Sequence, residues 1–256
     1  MTKQKGTYVY CVIGSARRPR LPRASRRLPG MGPVRLLDIE RGLFMAVADA
    51  PLDRYGEAAI NRGLSNLDWV SRAAVAHEAV VESFISETAV LPMKLFTIFT
   101  SDARAIEYVR AERQRIAAVV KRVANHQEWG VRVTIDRARA ATPRKRVSSS
   151  PRAGVAYLTR KKAQRDAAVE LATQARETVA ALYDRLAARS RAAKRRLASE
   201  LPVRGGPLLL DAAFLVGRAR ATSFQALIER ESRSLARHGY ALTVSGPWPP
   251  YSFVQD

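Results

Sequence analysis

Residues 34–48, VRLLDIERGLFMAVA, decide the fold. Two runs rich in apolar residues, 34–40 and 43–48, flank the dipeptide Arg41-Gly42. A two-residue connector ending in glycine, set between such runs, is the signature of a tight β-hairpin. Hairpin strands are antiparallel, so the sheet they belong to is not the all-parallel kind built from alternating strands and helices. Upstream, TYVYCVI (7–13) is rich in aromatic and β-branched residues and reads as a strand. Between it and the hairpin lies SARRPRLPRASRRLPG (15–30), whose prolines and six arginines make a loop.

Downstream of the hairpin the period changes. Leu67, Val70, Ala74, Val81 and Phe84 recur at helical spacing within 64–87, giving one amphipathic helix. Residues 90–100 are strand-like around Pro92, whose missing N–H suits a strand start or an edge. Ser101-Asp102 caps a further helix over 105–125. A second half opens with a strand at 129–135, followed by a basic linker at 142–152. Residues 155–197, including the basic RSRAAKRR (189–196), carry a long amphipathic helix or a helix pair. Unbroken, it would be about 60 Å long, so a break is expected. A buried strand at 208–216, a helix at 223–238 ending at Gly239 and a strand at 240–244 complete the order.

The expected class is α+β: two ferredoxin-like α/β sandwich domains with helices on one face of a mostly antiparallel sheet. The boundaries are 1–127 and 128–245, the second domain modified by its long helix. Residues 246–256 form a Pro/aromatic C-terminal tail. That tail contains GPWPPYSF, three prolines and three aromatics. Exposed aromatic surface invites aggregation, so the tail should be docked on something. Pro247, Pro249 and Pro250 hold it extended, and Trp248, Tyr251 and Phe253 can anchor it. Two readings stand: a clamp across the protein's own domains, or a partner-facing aromatic patch.

Lysines and arginines outnumber acids 44 to 23, a net charge of +21 that predicts attraction to polyanions or acidic surfaces. The longest apolar stretch, 208–217, is interrupted by Asp211 and is far short of the ~20 residues of a membrane span. One cysteine, Cys11, excludes an internal disulfide and sits in a strand, in keeping with a reducing cytoplasm.

Catalytic motifs are scarce. His77-Glu78 opens like a helical zinc-protease motif, but Val81 occupies the second ligand position. His77 therefore reads as a buried, hydrogen-bonded histidine. Gly30-Met31-Gly32 lacks the third glycine of a dinucleotide loop and precedes a strand. No catalytic, cofactor-binding or metal-ligating set emerges, so a non-enzymatic role is expected, with no cofactor. A basic nucleic-acid-binding protein with an RNA-recognition-like fold is the alternative, carried by charge and by Tyr8 and Tyr10 on one strand face. Against it, Leu43, Phe44 and Met45 replace the aromatic, small and aromatic residues of that motif.

The closing TVSGPWPPYSFV resembles the C-terminal motif of the gas vesicle protein GvpL/GvpF family, matching through Gly246, Pro247, Trp248, Pro249, Pro250, Tyr251, Ser252 and Phe253. YVYCVI at the start, AHEAVVE (76–82, with His77 and Glu78) and VLPMKLFTIF (90–99, with Pro92) are similar to further family segments. Lys94, Leu95 and Phe96 depart from the family's usual Arg-Phe-Gly. The resemblance implies an accessory or minor structural protein of gas vesicles, located in the cytoplasm and at the vesicle. It also implies the partners, the hydrophobic shell subunit and other accessory proteins, and no membrane.

Overall fold

The computed structural model describes residues 4–21, 27–135, 153–196 and 207–254. The basic linker at 142–152 lies outside them. Two compact units are present, one of residues 1–128 with 247–256 and one of residues 129–246.

In the first unit the elements are β1 (Lys5–Gly14), β2 (Arg35–Glu40), β3 (Leu43–Pro51), α1 (Leu52–Tyr55), α2 (Glu57–Gly63) and α3 (Leu67–Glu82). They continue with β4 (Ala89–Pro92), β5 (Ile98–Phe99), α4 (Asp102–Ala111) and α5 (Arg113–Val123). The hairpin is β2–β3, antiparallel, turning at Gly42 with φ 79°. The sheet order is β2-β3-β1-β4, with β5 also paired to β1. Because β3 and β4 are both antiparallel to the β1 between them, β3, α3 and β4 make a split βαβ unit.

A bulge between Val9 and Cys11 sets the faces of β1. Before it Tyr8, and after it Cys11 and Ile13, join the core built with Ala73, Val80, Val81 and Phe84 around α3. Thr7 and Val12 face the other way, Thr7 bonding Asp102 of α4 and Val12 meeting Val109, Ile116 and Val119 of α4 and α5. Helices thus cover both faces of this sheet rather than one. The continuous burial of β1 from Gly6 to Gly14 is the consequence.

The helix expected over 105–125 is two helices that meet at Glu112. Ser101 does cap the first, accepting from the Arg104 N–H at 3.3 Å. Asn125, at φ 58°, ends the second, a left-handed position that asparagine tolerates.

The second unit takes in β6 (His126–Ile135) from Trp129 onward, α6 (Ala153–Ala187), β7 (Ala192–Arg195), β8 (Leu208–Gly217), α7 (Ala221–Ala236) and most of β9 (Tyr240–Trp248). Its sheet runs β7-β8-β6-β9. Two expectations are corrected here. The long helix does not break: α6 is one helix of 35 residues. No break is needed, because among the helix's described side chains 161–170 are all exposed and only Ala175, Val179, Leu182 and Leu186 are buried in the core. Second, the basic stretch expected to be helical contains strand β7, antiparallel to β8. Its ladder is extended by Arg191 N–H to the Leu215 carbonyl and Arg196 N–H to the Asp211 carbonyl, both 2.8 Å. Pairing to a sheet edge outweighs the helix propensity of alanine, lysine and arginine there. With β7 in place, this unit has the full βαββαβ order.

Candidate functional site

The segments singled out in the sequence converge within the first unit. At its centre is His77 of α3, 4% exposed. The Tyr8 hydroxyl, which accepts the Phe96 N–H at 3.4 Å, is hydrogen-bonded to His77 Nδ1 at 2.7 Å. Burial pushes the His77 pKa down to about 4, opposed in part by the Met93 backbone, so the ring is neutral at pH 7. Tyr10 lies 4.7 Å from Tyr8 and 5.5 Å from His77, ring centre to ring centre. Burial raises both tyrosine pKa values well above their ordinary range, and the Cys11 thiol likewise. Each of these groups is enclosed, and none lines the clefts described below. Glu78, next to His77, is exposed on the outer side of α3.

Residues 94–97 form a turn, closed by the Thr97 N–H to the Lys94 carbonyl at 3.1 Å. Its third residue, Phe96, has φ 65°. A type II turn requires that conformation there, and glycine is the residue that adopts it without strain. Phe96 keeps the glycine backbone and adds a ring stacked on Trp69, with centres 4.9 Å apart and planes 14° apart. Trp69 in turn stacks on Tyr55.

On the opposite face of the sheet a cleft of about 500 Å³ opens between β4 and the α4–α5 pair. Leu91, Met93, Val109, Ile116 and Val119 form apolar walls, and Lys94 and Arg115 supply the charged groups. Pro92 ends β4, an edge strand, as its missing N–H allows. Lys94 is exposed. A second cleft, of about 490 Å³, is lined by Leu52, Tyr55, Ile60, Phe96 and Ile98. Phe99 contributes to both. Leu64, just after α2, and Leu67, the first residue of α3, are 51% and 81% exposed.

The tail is docked on this unit. Pro249 and Pro250 are buried, and Phe253 is 2% exposed. Trp248 and Tyr251 are half-buried and Pro247 is exposed. Tyr251 packs against the core of the α3 face, while Val254 lines the cleft on the other face. The tail thus reaches both faces of the sheet near β4. Burial, and after it the charges of Glu78, Cys11, Glu82 and Glu128, raise the Tyr251 pKa.

Glu128, 3% exposed, is the residue that sequence reasoning missed. Its carboxylate accepts from both the N–H and the hydroxyl of Ser252, each at 2.7 Å. A lone acid at the start of an apolar strand was the available signal, since buried carboxylates need partners. A second polar lock holds α4: Arg35 bridges Asp102 and Asp49 at 2.7 and 2.8 Å, and its hydrogen bond to Asp102 holds that carboxyl below its usual pKa.

Several chemistries find no support in this geometry. Among the described residues no group of three metal-ligating side chains comes together. No helix is long and apolar enough to cross a membrane. Tyr8 and Tyr10 are 0% exposed, so no base can stack on them.

Comparison with known proteins supplies the context. The chain is 29% identical over 262 residues to gas vesicle protein L of Streptomyces sp. (strain CB03234), covering 99% of this chain and 94% of that protein. It is 29% identical over 260 residues to gas vesicle protein F of the same strain, covering 97% and 99%. Crystal structures of GvpF from Anabaena sp. PCC7120 and from Microcystis aeruginosa share the fold, with TM-scores of 0.68 and 0.67 at 15% and 12% identity. The first match covers 98% of this chain and 97% of the other, the second 98% and 99%. The family described as gas vesicle synthesis protein GvpL/GvpF matches residues 6–255, and the chain belongs to that family.

Proposed function

We propose that this protein binds the hydrophobic shell subunit of a gas vesicle and covers its apolar surface until the subunit joins the growing shell. It acts in the cytoplasm and at the vesicle, alongside other accessory proteins, by binding alone. One observation carries the reading: the apolar cleft between β4 and α4–α5, where the VLPMK segment and the tail residue Val254 meet. Family membership supports a gas vesicle role, and the cleft supplies a surface suited to an apolar polypeptide. A protein that shields such a surface must expose apolar groups without self-associating, and a net charge of +21 opposes self-association.

Light scattering of purified shell subunit tests the proposal. A stoichiometric amount of this protein is expected to suppress aggregation. Met93→Glu and Tyr108→Glu, which place charge at half-exposed cleft positions, are expected to abolish the effect while leaving thermal unfolding unchanged. Undiminished aggregation with the wild-type protein rejects shell-subunit shielding; full activity of both variants rejects the cleft as its site.

A further inference from the structure

A separate pocket of about 590 Å³ lies in the second unit, lined by Arg189, Arg220, Ser223, Phe224, Ala226, Leu227 and Arg230. Arg189 sits in the turn after α6; Arg220 precedes α7; Ser223, Leu227 and Arg230 fall at helical spacing along α7. All three arginines are exposed, and none makes an ion pair among the described residues. The contrast with neighbouring arginines is informative. Arg185 pairs with Glu231 at 2.8 Å, and Arg132 and Arg196 bracket the buried Asp211 carboxylate at 3.0 and 2.9 Å. Two acids of this unit, Glu231 and Asp211, are thus held by other arginines, and no acid is among the residues lining the pocket.

We infer that this pocket docks an acidic, amphipathic helical segment of a partner protein, whose carboxylates meet the three guanidinium groups. Guanidinium groups recognise carboxylates through two-pronged hydrogen bonds. The apolar part of the lining, Ala226 and the half-buried Leu227, offers contact for the aliphatic residues of such a segment. The volume exceeds what a lone inorganic anion needs and suits several side chains. Nucleic acid fits less well, because the one aromatic residue of the lining, Phe224, is 1% exposed and cannot stack on a base. The inference goes beyond the shell-subunit reading, which concerns the first unit, and stands or falls apart from it.

The test uses the full chain and a fluorescently labelled 16-residue helical peptide carrying glutamates at i, i+4 spacing beside leucines. The readout is fluorescence anisotropy at two salt concentrations. Binding is expected to weaken at higher salt, as for any interaction between exposed charges. The triple variant Arg189→Gln, Arg220→Gln, Arg230→Gln is expected to weaken it at least about tenfold. The control triple Lys162→Gln, Arg165→Gln, Arg176→Gln removes the same charge from the exposed side of α6 and is expected to change it less than about twofold. Equal losses in both triples would reduce the binding to net charge and overturn the pocket. No binding at all overturns it too, as does a labelled single-stranded oligonucleotide that binds more tightly and is lost in the first triple alone. Circular dichroism of each triple confirms that these exposed substitutions leave the fold intact.

Discussion

Replacing Phe96 by alanine and by glycine separates two opposing contributions that the native residue combines. A left-handed backbone, here φ 65°, costs an L-residue about 1–2 kcal/mol and glycine close to nothing. The phenylalanine ring offsets that cost. Its stack on Trp69 at 4.9 Å contributes about 0.5–1.5 kcal/mol, and its partial burial adds about 1 kcal/mol. Phe96→Ala keeps the strain and loses the ring, so a loss of about 2 kcal/mol is expected. Phe96→Gly loses the ring but relieves the strain, for a loss of about 1 kcal/mol. Glycine is thus expected to be the better substitute by about 1 kcal/mol, the reverse of the order found inside helices. Urea unfolding followed by tryptophan fluorescence measures both, provided the denaturant slope is the same for all three proteins. An alanine variant as stable as the glycine variant would refute the argument that this turn demands a left-handed residue.

Three further outcomes are expected. His77 has its pKa lowered from 6.5 to about 4, so the unfolded chain takes up the proton first. Stability from this group is complete above pH 6.5 and is lost as pH falls toward 4, by up to about 3 kcal/mol; His77→Gln should flatten that part of the stability–pH curve, and parallel curves would contradict it. Glu128→Gln replaces a charged acceptor of the Ser252 N–H and hydroxyl with a neutral amide that keeps only one accepting oxygen, costing about 1–3 kcal/mol; faster cleavage of the tail by carboxypeptidase is the readout, and an unchanged rate counts against the lock. Phe253→Ala should lower stability by about 3 kcal/mol and the half-buried Trp248→Ala by clearly less, in thermal unfolding of the two variants; a reversed order would mean that the indole, not the phenyl ring, anchors the tail.

Much of the fold was legible because it rests on local chemistry. Arg41-Gly42 announces the β2–β3 hairpin, Ser101 the start of α4, and helical spacing the presence of α3. Of the face expected to be apolar, only Val81 and Phe84 are buried and Leu67 is 81% exposed; the buried face is instead Ala73, Ala76, His77, Val80 and Val81. His77 was legible as a buried, bonded residue from its place on that face, although its partner Tyr8, 69 positions away, was not. The strand β7 escaped notice because Ala192–Arg195 carries no strand-like pattern, and only the open edge of β8 makes it one. The unbroken α6 was missed for a related reason: a helix can leave the core behind, and its sequence does not record where the core ends. Of the candidate site, the tail residues were named from their unusual composition and Pro92 and Lys94 from the family resemblance, whereas Glu128 shows its role only when Ser252 is beside it.

The sequence by itself determined the α+β class, the hairpin, the caps and the family motifs, since propensity, periodicity and turn chemistry act between near neighbours along the chain. Only the tertiary structure decided that helices cover both faces of the first sheet and that the last residues return to reach both of those faces near β4. It alone also brought around one pocket three arginines that make no ion pair among the described residues. Those outcomes depend on which distant segments satisfy one another's buried donors, acceptors and apolar surface, a competition decided over the whole chain at once.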